Sequence, residues 1–420
     1  MSKITRGLKI GYFALIVLMF TAWLVRYSML GGNKISPGIE KAVVAFAEFP
    51  NKVFTLIKPG ANIDKRYIPD TGSKTGISYF ADTSALSHGY LLVSTLNQDK
   101  NQECKLLDLR KNRIIKTWLI NTDTILRYTR SANLNRNNLR LIHPLLLTDS
   151  SLIFNTEYSL IKIDKKSKVV WANRNIFHHS IEYLNSNLIW ACTTIVNKTP
   201  VYMFTAKDTL VNDGIAEVNS GNGNIVYQKS IYSILNDNGY KYLMAIGNFE
   251  NDEFHLNEVN PAPADTKYWK KGDLLISLRH RNTVFLYRPA TNKILWLKTG
   301  PWANQHSCTF VGDDKIMVLG NDVMRSNDYV KLLYKYNNIY LYNFKNNTID
   351  TPYVKMISQL GLKTYTEGRC NILPGGDVFF DETNEGKLYI FNADKLKMKY
   401  CERIDDKHIK MMSLVRYIPQ

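Results

Sequence analysis

Cysteine is scarce in this chain of 420 residues, with five thiols scattered at Cys104, Cys192, Cys308, Cys370 and Cys401. They make no disulfide framework, no CxxC pair and no Cys/His spacing of a zinc module. An odd count leaves at least one thiol unpaired within the chain, and export permits a disulfide without requiring one. Acidic residues are also few, 37 against 54 lysines and arginines, for a formal net charge of +17. That surplus attracts anions. No helix-turn-helix, RNP or zinc-finger pattern accompanies it, so nucleic acid is discounted as a partner. Anionic lipid headgroups and sulfated or phosphorylated small molecules remain. Disorder is excluded by composition, which is 45% hydrophobic and 12% aromatic.

The N-terminus carries Lys3, Arg6 and Lys9, then an uncharged, mostly apolar run over 10–25, with Arg26 and Tyr27 beyond it. Positive charge before an apolar run is a membrane-insertion signal. The run is a little short for a hydrocarbon core of about 30 Å, but Lys9 and Arg26 can snorkel outward. Residues 27–32, Tyr-Ser-Met-Leu-Gly-Gly, lack an A-x-A cleavage site, which favours an uncleaved anchor over a cleaved signal peptide. Residues 1–33 are therefore expected to anchor the chain by one helix, with the bulk of it in the periplasm or outside the cell. Residues 34–75 read as a helical stalk or linker, with a helix over 39–49 ended by Pro50 and a shorter helical piece through Ile57.

From about Gly76 the texture changes to short β-rich runs separated by Asn, Asp, Gly, Ser and Lys. One unit recurs about every 40 to 50 residues. It has a polar opening residue, an apolar strand, a tight turn, a second strand, and a closing pair around a lysine-rich turn. The units open at His88, His143, His179, His255, His306 and Arg369. Six such units predict an all-β, six-bladed β-propeller over 76–420. In that fold the innermost strand of each blade starts at one end of the central channel, so His143, His179, His255, His306 and Arg369 are expected around one axis.

The stretch 254–320 carries the chemistry. It reads Phe254-His255-Leu256-Asn257-Glu258-Val259, an apolar strand ending in Ser277-Leu278-Arg279, Asn292-Lys293-Ile294-Leu295-Trp296, and Gly300-Pro301-Trp302-Ala303-Asn304-Gln305-His306. A neutral imidazole can hold a transferred group on nitrogen and pass it on. A guanidinium at a strand end fits a tetrahedral oxyanion and stays charged throughout. The other reading of Arg279 is a structural ion pair with a carboxylate such as Asp273.

In order and spacing these segments resemble the arylsulfotransferase family, enzymes that move a sulfuryl group between phenols without a nucleotide sulfate donor. The resemblance implies that His306 is the nucleophile that becomes sulfurylated, that Arg279 clamps the sulfuryl oxygens, and that His255 contacts that group or handles the phenol proton. His179 matches another pocket histidine, although either member of the His178-His179 pair can point inward. Arg369 is expected to add positive charge at the channel mouth, and Asn282, in the basic run after Arg279, to bind substrate. Arg281 would share the face of Arg279 if that strand continues. Trp302, Tyr268 and Trp269 flank the expected mouth and could stack on a phenolic ring or simply pack. Family members carry an additional N-terminal β-sandwich; here only an anchor and stalk precede the propeller, although a homodimer remains an option.

The expectation is thus a membrane-anchored sulfotransferase that takes an aryl sulfate donor and a phenolic or other hydroxyl acceptor, works by ping-pong exchange, and uses no cofactor. A second reading is a non-catalytic propeller that binds an anionic glycan or scaffolds envelope assembly. A third is a histidine-lined metal site, against which Arg279 in the same pocket argues; no metal ligand is assigned.

Overall fold

The computed structural model describes residues 3–29, 42–43, 46, 66–82, 84, 86, 88–129, 134–195, 212–245, 252–325 and 330–420. The chain divides into two units, 1–64 and 65–420. In the first, a helix spans Lys3–Met29. It displays large apolar side chains, including Phe13, Leu18, Met19, Phe20 and Trp23, at high exposure. Among the described residues no helix is long and apolar enough to cross a membrane. The expected stalk helix lies outside the described residues except for Ala42, Val43 and Phe46, which are helical.

The second unit contains six antiparallel sheets that form the six blades of a propeller. Blade 2 runs Ile142–Leu146, Leu152–Asn155, Leu160–Ile163 and Val169–Asn173 from inside to outside. Blade 3 runs Ile176–Tyr183, Leu188–Thr194, Asp213–Asn219 and Ile225–Ser230. Blade 4 is Leu256–Pro261, Leu274–Leu278, Thr283–Arg288 and Lys293–Thr299. Blade 5 is His306–Val311, Lys315–Gly320, Asn338–Asn343 and Thr348–Asp350.

The ring closes by exchange between its ends. Blade 1 takes three strands from the front of the unit, Gly89–Leu96, Gln102–Asp108 and Arg113–Ile120, and its innermost strand, Arg416–Pro419, from the back. Blade 6 runs from Arg369–Ile372 through Leu396–Cys401 and gains Gly76–Tyr79 as a fifth, outer strand. His88 therefore does not open an inner strand. It is exposed and meets the Arg110 guanidinium at 2.6 Å, while Arg416 holds the inner position of blade 1.

The turns between strands follow from side-chain chemistry. Asp and Asn at a strand end accept hydrogen bonds from backbone N–H groups two to four residues on, which closes the turn locally. Asp149 Oδ1 accepts from Ser151 N, Asp164 Oδ1 from Lys166 and Lys168 N, and Asn219 Oδ1 from Gly221 N. The strands between them are apolar on both faces because each blade packs against the next. Ile276 and Phe285 of blade 4 meet Cys192 and Ile215 of blade 3, and Leu319 and Ile339 of blade 5 meet Val378 and Phe380 of blade 6. Full burial of one such side chain contributes about 1.5–3 kcal/mol. All five cysteines are buried and free, so they serve as small core hydrophobes.

Candidate functional site

Inner strands of blades 2 to 5 share an irregularity near their start. Register slips between Ile142 and Leu145, His178 and Ile181, Leu256 and Glu258, and His306 and Cys308. Left-handed backbone accompanies it, with φ of 51° at His143, 51° at His179, 50° at His255 and 48° at Ser307. A bulge re-aims a side chain that the pleat would otherwise send to a packed face. In blades 2 and 3 the slip holds His143 and His179 themselves, and in blades 4 and 5 it follows His255 and His306 at Asn257 and Ser307. His179 packs edge-on to His255 with ring centroids 4.8 Å apart, and lies 6.3 Å from the ring of His306.

These rings line a cavity of about 660 Å³ together with His178, Arg279 and Tyr158. Carboxylates of Glu157, Asp213, Asp252 and Glu367 also reach its wall. Three of them are engaged by cations or imidazoles. Asp213 Oδ1 lies 3.4 Å from His178 Nε2, Asp252 pairs with His255 Nδ1, and both Glu367 oxygens accept from Arg140 at 2.6 Å. Both histidines of the 178–179 pair therefore line the wall, joined Nδ1 to Nδ1 at 2.9 Å.

His306 is 4% exposed. Its Nδ1 lies 2.6 Å from Asn321 Oδ1, and the Asn321 amide nitrogen donates to the carbonyls of Thr364 and Glu367, each at 2.9 Å. Those two donations fix which end of the amide faces the ring. The oxygen can only accept, so His306 Nδ1 carries the proton and Nε2 keeps its lone pair. That Nε2 is buried without a protein hydrogen-bond partner. Burial first, then the Arg279 charge, holds the His306 pKa well below its ordinary value. The ring is a neutral base at pH 7 with one nitrogen bare.

Arg279 leaves the strand at Leu278 and enters a short 3-10 turn, Arg279–Arg281, with its side chain buried and lining the cavity. It donates to His280 Nε2 at 3.1 Å and to Tyr365 O at 3.4 Å. His280 can accept because its Nδ1 donates to Asp252 O at 2.7 Å, and burial with the neighbouring His255 lowers its pKa to about 4. His280 also stacks on His255 at 4.4 Å. The expected alternative partner, Asp273, is taken by Arg288 in a two-pronged pair of 2.8 and 2.7 Å. Arg279 is thus not spent on it.

Other expected residues lie elsewhere. Because the strand ends at Leu278, Arg281 turns away from Arg279 and pairs with buried Glu253. Asn282 does not line the cavity. It adopts left-handed backbone at φ 50° and its Oδ1 accepts from Asn304 N at 2.7 Å, which closes the turn before Thr283. Arg369 is buried off the cavity wall, where it donates to His143 Nδ1 at 2.8 Å and Glu182 Oε1 at 2.6 Å. Arg416 from the closing strand takes the other Glu182 oxygen, also at 2.6 Å. The charge of Arg369 is balanced there rather than displayed at a mouth. Trp302 and Trp269 are core residues, packed on Tyr340 and on Phe310 and Phe344, and Tyr268 leans on Phe344. The aromatic residue on the cavity wall is Tyr158.

Asn321, Asp252, His280, Asp213 and Tyr158 are the site residues that sequence reasoning missed. Asp252 had a signal, since it stands three residues before His255. His280 had one in its adjacency to Arg279. Asn321 had none.

A propeller that sets the neutral His306 imidazole, among further histidines, beside one guanidinium is suited to holding a small oxyanion against a nitrogen nucleophile. The chain belongs to the arylsulfotransferase (ASST) family, whose model matches residues 143–403. Membership supports a sulfotransferase-type function, with an aryl sulfate as donor and a phenol as acceptor in outline. No curated protein matches the sequence. Among solved structures, the chain is similar to a protein of unknown function from Bacteroides caccae at 12% identity and a TM-score of 0.46, over 80% of this chain and 100% of that one. A functionally unknown protein from Desulfotomaculum acetoxidans matches at 10% identity and 0.43, over 79% and 100%. The Neurospora crassa Pan2 WD40 domain matches at 11% and 0.41, over 80% and 86%.

Proposed function

We propose that this protein moves a sulfuryl group from an aryl sulfate to a phenolic or other hydroxyl acceptor by ping-pong exchange through a sulfo-His306 intermediate. The observation that carries the reading is the bare, buried Nε2 of His306, with Nδ1 tied to an amide oxygen that cannot donate. In the first half-reaction Nε2 attacks sulfur, the N–S bond forms and the S–O(aryl) bond breaks, and the phenolate leaves with the electron pair. Arg279 bears charge on the sulfuryl oxygens, which in a loose transition state matters more than bond-making. His255, which lines the cavity with Nδ1 held by Asp252, acts as the imidazolium: it gives the proton on its other nitrogen to the leaving phenolate and becomes the neutral ring. The acceptor hydroxyl returns a proton by the same route and takes the group from His306.

The reading includes an extracytoplasmic, membrane-anchored chain. Lys3, Arg6 and Lys9 ahead of the exposed apolar side chains of the N-terminal helix support it. The test is p-nitrophenyl sulfate turnover by the full chain with a phenol acceptor, beside His306→Ala, and intact mass after donor alone. A phenol-dependent rate and a sulfuryl-sized mass gain, both lost in the variant, are expected. Folded protein that gives neither across several aryl sulfates would return the weight to a binding propeller.

A further inference from the structure

The same three rings have a property that sulfuryl transfer does not require. One ring nitrogen from each of His179, His255 and His306 lies within 4.8 Å of the others. In all three it is Nδ1 that the protein already holds, by His178 Nδ1, Asp252 and Asn321 Oδ1 respectively. That leaves Nε2 of His255 and of His306 open, and His179 on the neighbouring blade brings a ring nitrogen into the same cluster. Imidazoles steadied through one nitrogen by a carboxylate, an amide oxygen or another acceptor, and open at the other, are how proteins build transition-metal sites. A three-imidazole set with an open fourth position suits zinc and its neighbours in softness, and does not suit magnesium or calcium.

We propose that His179, His255 and His306 form a site for a single borderline dication of the zinc class, filled in competition with the sulfated donor. Arg279 is the feature that opposes a cation there. Its guanidinium is directed to His280 Nε2 and Tyr365 O. The wall also carries four carboxylates, Glu157, Asp213, Asp252 and Glu367, against that one arginine. Arg140 neutralises Glu367, which leaves Glu157, Asp213 and Asp252 on the wall to offset Arg279. A second cluster, Asp252, His255 and His280, shares His255. It is the poorer set, because His280 uses Nδ1 on a carbonyl and Nε2 on Arg279.

Metal binding stands apart from the transfer reading, on which only the competition with donor rests. The experiment is equilibrium dialysis of the full chain, stripped with chelator, against zinc chloride, with visible absorption of the cobalt(II) form as a second readout. The expected result is one retained zinc per chain, unaffected by excess magnesium, and a cobalt spectrum of low coordination that aryl sulfate abolishes. His179→Gln and His255→Gln should each weaken zinc at least about 10-fold, and Asp252→Asn about 10- to 100-fold. Retention well below one equivalent overturns the site, as does zinc affinity unchanged in both histidine variants. The cobalt spectrum of the unaltered chain needs no variant to fold, and an octahedral, water-like spectrum also overturns it. Turnover without zinc retention would sink the metal site alone, whereas zinc retention by a chain whose chelator-stripped form gives no turnover would sink only the transfer reading.

Discussion

Asn321 Oδ1 stands 2.6 Å from His306 Nδ1, and its amide nitrogen is committed to two backbone carbonyls. One side chain thereby decides which nitrogen of the ring is basic. Asn321→Ala should slow sulfo-adduct formation by roughly 10- to 10³-fold, less than the ~10⁴-fold loss when a charged orienting group is removed from a serine protease triad. KM for the donor should move little. The check is single-turnover adduct formation by intact mass, and an unchanged rate would remove Asn321 from the mechanism.

The acid limb of the first half-reaction should lie below pH 6.5. Burial and the Arg279 cation both disfavour imidazolium at His306, so its pKa is lowered and the neutral nucleophile persists as pH falls. Arg279→Gln removes the cation and leaves the burial, so the limb should move up without reaching the ordinary value. A pH series of adduct formation in both proteins reads the sign. A limb that stays put, or moves down, contradicts the assignment.

Arg369→Met should harm stability rather than donor binding. The variant breaks a buried pair with Glu182 and a contact to His143, and such a loss costs about 3–5 kcal/mol. Arg416 still holds Glu182, which places the expected cost at the low end. Urea unfolding should show the loss while KM for aryl sulfate changes only a few-fold. A large rise in KM without loss of stability would restore Arg369 to the substrate.

Glu258 should make the wild type lose stability as pH rises from 4.5 to about 8. Burial and nearby Glu182 raise its pKa from 4.5 to about 8. The folded state therefore binds the extra proton between those values. The contribution is full below pH 4.5 and is lost as pH rises through about 8. Glu258→Gln, a shape match for the protonated acid, should flatten that limb, with Tm above the wild type by roughly a few °C at pH 9. Parallel Tm curves for the two proteins would refute it.

The propeller was legible because each blade repeats the same solution to burying two faces, so polar openers and Asx-closed turns recur in phase. That phase put His143, His179, His255, His306 and Arg369 at the head of inner strands; His306 and Arg369 begin theirs, His143 is second, His255 comes one residue before its strand, and His179 is fourth in its own. It could not say which of these side chains reach the cavity, since that depends on local register slips of one or two residues. Nor could it show that blade 1 borrows Arg416–Pro419, because closure pairs strands more than 300 residues apart. Asn321 was silent for a related reason. It acts by the direction of one polar atom, and an Asn in Gly320-Asn321-Asp322 reads as a turn residue.

Behind the histidines, Arg369 and Arg416 meet on Glu182 and are buried together. Glu182 belongs to blade 3, Arg369 to blade 6 and Arg416 to the strand that closes blade 1. One carboxylate thus buttons both ends of the ring to its middle, and loosening that single stitch should slacken three blades at once.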